Sequence, residues 1–231
     1  MKTLGIIGGV GPESTVEYYR TIIGLYRQRA RDGSYPQFIL NSIDLGKEID
    51  LVERNDRRGL ADFLVVEVEK LAKAGADFGL IASNTPHIVF DDVRSRSPLP
   101  LISIVETACA ATKRQGLKRP ALFGTRFTMQ GDFYPKVFSR EGIQLITPAP
   151  DDQDYIHDKY MNELVVGKFF PETRSRLLGI VDQLRAGRNI DAVILAGTEL
   201  PLVLRDRVHN GVPILDTMQI HVEAAVTEMF S

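Results

Sequence analysis

The chain alternates short apolar runs with longer amphipathic stretches, and most apolar runs end in glycines or small polar residues. Residues 3–7 form the first run and open into Gly8-Gly9-Val10-Gly11-Pro12. A helix is expected from there to about residue 30, its start tied down by Ser14 or Thr15. Residues 37–41 predict a second strand ending at Asn41, Ser42 and Asp44, and Lys47, Glu48 and Asp50 read as a polar connection. Leu60, Phe63, Leu64, Val68, Leu71 and Ala72 then mark one face of a helix over residues 58–74, closed by Gly75. A third strand, residues 78–82, stops at Ser83-Asn84-Thr85, and Pro86 is placed to open a helix to about residue 96.

After Ser97-Pro98-Leu99-Pro100, which reads as a linker, the pattern begins again. A strand and helix start at residue 101, and a strand from residue 120 runs into Thr125-Arg126-Phe127-Thr128. A helix is expected over residues 132–140, a strand over 143–146 and a long helical region over 151–187, interrupted at Pro171. Residues 192–195 form the next strand, ending in Ala196-Gly197-Thr198-Glu199, and a strand over 212–215 precedes an amphipathic helix over 217–230. This alternation predicts an α/β protein with mainly parallel sheets, organised as two similar Rossmann-like, doubly wound domains with the site in the cleft between them.

Open parallel sheets bind ligands at the carboxyl ends of their strands. The groups gathered there are hydroxyls, an amide and free backbone N–H groups, which suit a small carboxylate. The first glycine loop does not make a dinucleotide fingerprint, because Ser14 stands where the third glycine is needed.

A composition of 44% hydrophobic and 25% charged residues is that of an ordinary globular protein, and a formal charge of −2 gives no reason to expect nucleic acid or an anionic membrane. No apolar run approaches the roughly 20 residues of a membrane span. The start of the chain is too short in apolar residues and too glycine-rich for a signal peptide, so a cytoplasmic location is expected. The single cysteine, Cys109, lies in a small-residue helical stretch and excludes an intramolecular disulfide or a thiolate metal cluster. His157, His209 and His221 have no metal-site spacing, and no metal is expected.

Ser83-Asn84-Thr85-Pro86-His87 and Ala196-Gly197-Thr198-Glu199 resemble the two motifs of the aspartate/glutamate racemase family, Cys-Asn-Thr-x-His and Gly-Cys-Thr-Glu. The resemblance covers essentially the whole chain. It implies a cofactor-independent (pyridoxal phosphate-independent) amino-acid racemase and isomerase, a homodimer, that takes a small amino or dicarboxylic acid. It also implies that Gly9, Val10 and Gly11 line the pocket, that Asn41, Asn84, Thr85, Thr125, Thr128 and Thr198 hold the substrate, and that Lys47 or Lys168 is the nearest basic group for its side chain. The last helix would return to the first domain, giving residues 1–99 plus 212–231 and residues 100–211. Ser83 and Gly197 stand where the family's two thiols would flank the α-carbon.

Inverting an α-carbon without a cofactor needs a base on one face and an acid on the other. A serine hydroxyl is a poor base and glycine offers only backbone. The nearest substitutes are His87, one helical turn beyond Ser83 and able to orient or deprotonate it, and Glu199, which either caps its loop or serves the site. Two functions are therefore carried forward: a racemase working through His87 or Glu199, and a non-catalytic amino-acid or carboxylate-binding protein. Restoring cysteines at 83 and 197 is expected to restore the acid–base pair, provided that Gly197 does not depend on a positive φ.

Overall fold

Leu4-Gly5-Ile6-Ile7-Gly8 is buried at every position, as a strand covered on both faces of a parallel sheet must be. In the computed structural model, which describes residues 1–231, it forms β1 (Leu4–Gly8) and lies between β2 (Phe38–Ser42) and β3 (Phe78–Ile81), with β4 (Leu101–Ile102) beyond β3. All pairings are parallel, and Ile7 sits beside Asn41 on one side and Ile81 on the other. The chain leaves β1 for one edge and returns to build the other, so the switch point falls between β1 and β3 and opens a crevice at their carboxyl ends. The connections are α1 (Pro12–Ala30), α2 (Leu45–Glu53), α3 (Arg57–Lys73) and α4 (Phe90–Arg96), and α5 (Ile104–Arg114) follows β4.

The second sheet repeats the plan. β5 (Pro120–Gly124) leads into α6 (Arg126–Gln130) and α7 (Phe133–Phe138), then α8 (Pro150–Lys159), a π-helical turn at Tyr160–Leu164 and α9 (Pro171–Arg188). β6 (Ala192–Ala196), α10 (Leu200–Val203), β7 (Val208–His209), β8 (Val212–Asp216) and α11 (Thr217–Met229) complete the chain. The strand order is β5-β6-β8-β7, with β7 antiparallel at the edge, and a parallel bridge from Ile146 to Ala121 on the other side of β5 puts the switch point between β5 and β6.

By its internal contacts the chain divides into Met1–Ile104 with Met218–Ser231, and Val105–Thr217. The core of the first unit joins Leu4, Ile6, Phe78 and Leu80 to Tyr18, Ile22, Val222 and Val226. That of the second joins Phe123, Val193 and Leu195 to Ile156, Leu164, Leu177 and Val181.

Several elements differ from the sequence pattern for identifiable reasons. Residues 45–53 are a helix where a polar connection is expected. Asp44 caps it by accepting from the Gly46 and Lys47 N–H groups, and only Glu48, Leu51 and Val52 are buried, a stripe too short to signal a helix. Residues 143–146 make only one bridge, Ile146 to Ala121, ahead of Pro148 and Pro150, which have no N–H to extend a ladder. β8, expected with the first domain, pairs instead with β6 in the second sheet, and the first unit resumes only at Met218. After Ser83 the chain makes a 3₁₀ turn, Thr85–Val89, before α4 begins at Phe90.

Two buried histidines brace the first unit. The His221 ring on α11 accepts from the Tyr18 hydroxyl at Nδ1 (2.9 Å) and donates from Nε2 to the Ile102 carbonyl (3.0 Å). His87 accepts the Ile104 N–H at Nε2 (3.2 Å) and stacks on Phe90. Burial is the main reason that both rings stay neutral, with pKa values pulled down to about 3 for His87 and about 4 for His221 from 6.5. A histidine depressed on folding contributes stability that is complete above its unfolded pKa and is lost as pH falls through the folded value. Urea unfolding should therefore show wild-type stability declining steadily from pH 6.5 toward 4, and His221→Gln should show a flatter acid limb. An equal pH slope in the variant would contradict this role.

Candidate active site

The first unit places two loops at its switch point. Pro12 opens α1, Ser14 and Thr15 donate their hydroxyls to the Gly11 carbonyl (3.0 and 2.9 Å), and Thr15 Oγ1 accepts from the Gly9 N–H (2.9 Å). Gly9 has φ +83°, and a Cβ there would lie 2.6 Å from both the Ile43 carbonyl oxygen and Ser42 Oγ, so its missing side chain makes room for the loop that follows β2. Val10 is buried. The other loop is Ser83-Asn84-Thr85, with Ser83 and Asn84 buried and Thr85 partly exposed. At the end of β2, Asn41 donates its amide to Glu67 (2.7 Å), which also pairs with Lys70 (2.8 Å).

At the switch point of the second unit, Thr125 caps α6 by accepting from the Thr128 N–H (3.3 Å), and the two buried hydroxyls lie 3.2 Å apart. Across from them β6 ends in Gly197, Thr198 and Glu199, all buried. Gly197 does not have a positive φ. A Cβ on it would instead lie 2.5 Å from Cε2 of Tyr160 and 3.2 Å from Cδ2 and Cζ. The ring of Tyr160 thus fills the volume that a side chain at 197 would need. Its hydroxyl donates to Glu199 Oε2 in a short hydrogen bond, and the Thr198 hydroxyl donates to the same oxygen (3.0 Å). Burial first, and the Glu199 carboxylate second, push the Tyr160 phenol well above its usual pKa, so it stays protonated.

A family model described as Asp/Glu/Hydantoin racemase matches residues 7–225. The chain belongs to this family. It is 25% identical to a broad-specificity amino-acid racemase of Bacillus subtilis, over 97% of this chain and 96% of that protein. Among solved structures, a candidate Asp/Glu racemase from Yersinia pestis is 31% identical with a TM-score of 0.88, covering all of both chains. An aspartate racemase homologue from Pyrococcus horikoshii is 30% identical with a TM-score of 0.84, again over the full length of both.

Within this racemase-family frame, several expected roles change. His87 is not placed to deprotonate Ser83: its acceptor nitrogen is engaged by Ile104, and burial keeps it from holding a proton near neutral pH, although the Ser83 backbone lies close enough to pull slightly the other way. Glu199 makes no side-chain cap for α10 and instead receives Tyr160 and Thr198. Lys47 lays its ammonium over the Phe63 ring (4.3 Å to the centroid), and Lys168 is exposed. Cys109, the only thiol, is buried on α5, and burial raises its pKa, so it supplies no ready thiolate.

Tyr160 is the residue that motif reasoning missed. It stands 39 positions before Glu199, in a π-helical turn, and the only trace of it in the sequence is indirect: a glycine where the family resemblance calls for a side chain. Gly197→Cys should therefore cost about 1–3 kcal/mol by overpacking against the ring. In a Tyr160→Ala background the same change should cost little or stabilise, giving a coupling energy of about 1 kcal/mol or more in urea unfolding. Additive effects would show that the ring does not occupy this volume.

Proposed function

We propose that this racemase-family protein binds a small amino or dicarboxylic acid through its carboxylate at strand-end loops, and that it exchanges the α-proton slowly or not at all. The chemistry of the donors supports binding. Ser83, Asn84, Thr85, Thr125, Thr128 and Thr198 are hydroxyls and an amide at the two switch points, where neutral donors hold a carboxylate without bringing a competing charge. The observation that carries the second half is the Tyr160 ring against Gly197, which removes the place for a thiol, together with the engagement of the His87 acceptor nitrogen by the Ile104 N–H. Binding of this kind needs no cofactor. The same proposal takes the protein to be cytoplasmic and a homodimer, and no helix of the chain is long and apolar enough to cross a membrane.

The Tyr160 hydroxyl held on Glu199 favours one second reading, in which this pair donates a proton to one face of a bound α-carbon. A single group of this sort exchanges a proton with retention but cannot invert the centre by itself.

Thermal unfolding with a panel of amino and dicarboxylic acids, alongside α-proton exchange in deuterated water, separates the cases. The proposal expects at least one acid to raise Tm by several degrees at about 100 times its Kd, with exchange far below turnover rates of about 1 s⁻¹. Exchange with inversion at or above that rate would overturn it, as would a panel without any shift. Exchange with retention that disappears in Tyr160→Phe would establish the second reading.

A further inference from the structure

The edge hairpin of the second sheet carries a reactive pair of residues at the amino end of β8, whereas the candidate site follows the carboxyl ends of strands. Asn210-Gly211 is the two-residue turn between β7 and β8, and both residues are exposed with positive φ, +47° and +80°. Of the six asparagines in the chain, only Asn210 precedes a glycine. The bare Gly211 matters chemically, because no side chain crowds its backbone nitrogen as it approaches the neighbouring Cγ. That nitrogen can bond to Asn210 Cγ with loss of its own proton to water; the Cγ–Nδ2 bond then breaks, and Nδ2 takes up a proton and leaves as ammonia. Water opens the resulting five-membered imide at one carbonyl or the other, which leaves aspartate or isoaspartate.

The fold holds this pair shut. Asn210 Nδ2 donates to Asp182 Oδ1 on α9 (3.0 Å) and lies 3.2 Å from His209 Nε2, which is itself 3.0 Å from the same carboxylate oxygen. The bond from Asn210 comes first, and that from His209 second, in holding the Asp182 carboxyl below its usual pKa, and Arg185 acts on it more weakly. With these bonds in place the amide is not free to rotate onto the Gly211 nitrogen. Little else closes the hairpin. β7 is two residues long, paired as Val208 with Pro213 and His209 with Val212, and one further bond runs from the Ile214 N–H to the Arg207 carbonyl (2.9 Å). An edge strand of this length opens at low cost, and Asp182 is then the main restraint on the amide.

We propose that Asn210 is a site of spontaneous deamidation, restrained by Asp182 and released when the β7–β8 hairpin opens, and that the change locks itself in. The product carries a carboxylate where the amide stood, so a donor to Asp182 becomes a like charge beside it. The isoaspartate form also adds a backbone atom to a turn whose register admits two residues. Either product disfavours return of the closed hairpin. Water is the only reactant, and the change is independent of amino-acid binding.

The test is incubation of the folded protein in neutral buffer made with water enriched in heavy oxygen, followed by mass spectrometry of the tryptic peptide Val208–Ser231. Deamidation during the incubation leaves one heavy oxygen in that peptide, whereas deamidation during digestion in ordinary water does not. Wild type should gain the label at Asn210 faster than at any other asparagine, yet more slowly than the same protein unfolded in urea. Asp182→Ala, shown to be folded by circular dichroism, should gain it about fivefold faster than wild type, the factor expected for loss of one hydrogen bond. Asn210→Asp, which stands for one of the two products, should lower Tm by a few degrees, and Asp182→Asn in that background should recover it. Labelling at Asn210 no faster than at the other asparagines would overturn the proposal. Folded wild type that reacts as fast as the unfolded chain, or Asp182→Ala that reacts at the wild-type rate, would overturn the restraint, and an unchanged Tm in Asn210→Asp would overturn the locking.

Discussion

The contact on which the second unit's strand-end site depends is that between the Tyr160 ring and the bare backbone of Gly197. Side chains at the end of a buried parallel strand compete for the same small volume, and here the competition is resolved in favour of a residue from a distant helical turn. The π-helical turn at Tyr160–Leu164 brings the ring in, Gly197 leaves space for it, and Glu199 turns inward to accept the phenol proton in place of capping α10. Each of these features makes sense only with the others. Changing Gly197 alone would drive a side chain into the ring, and removing Glu199 alone would leave a buried phenol without its acceptor.

The frame around this contact is the one that the hydrophobic pattern announces. Fully buried runs such as Leu4–Gly8 and Ala192–Ala196 became central strands, and the small polar residues after them fell at the two switch points, because parallel strands must be apolar on both faces and can end only in a loop. α2 was not legible, since three buried positions in nine residues do not make a visible stripe. His87 was legible as a motif residue but not as a neutral ring, because the Ile104 N–H that it accepts comes from a segment 17 residues away. The same limit hid Tyr160. Pairing at long sequence separation is invisible to a periodicity argument, however regular the local pattern.

The chain belongs to the Asp/Glu/Hydantoin racemase family, and the proposal that it holds a carboxylate while moving a proton slowly or not at all rests on the side chains at its strand ends. The threonine-rich ends of β5 and β6 and the Ser83-Asn84-Thr85 loop carry no strong base. The titratable groups beside them are held in unreactive forms: His87 neutral, Tyr160 protonated, Glu199 bonded to two hydroxyls. Proton transfer at carbon needs groups whose pKa values lie near the working pH and face the substrate, and at the two motif positions this chain offers neither.

The central claim, that Tyr160 is a buried phenol locked over Gly197, is tested most directly by its own titration. With the 7 tyrosines labelled at the ring ζ-carbon and the Tyr160 signal assigned by its loss in Tyr160→Phe, NMR follows each phenol through alkaline pH. A phenol in water ionises near about 10. The Tyr160 signal should remain that of the neutral phenol for as long as the protein stays folded. A Tyr160 that ionises alongside the exposed residues would mean that the ring lies in water, and that the volume beside Gly197 is open.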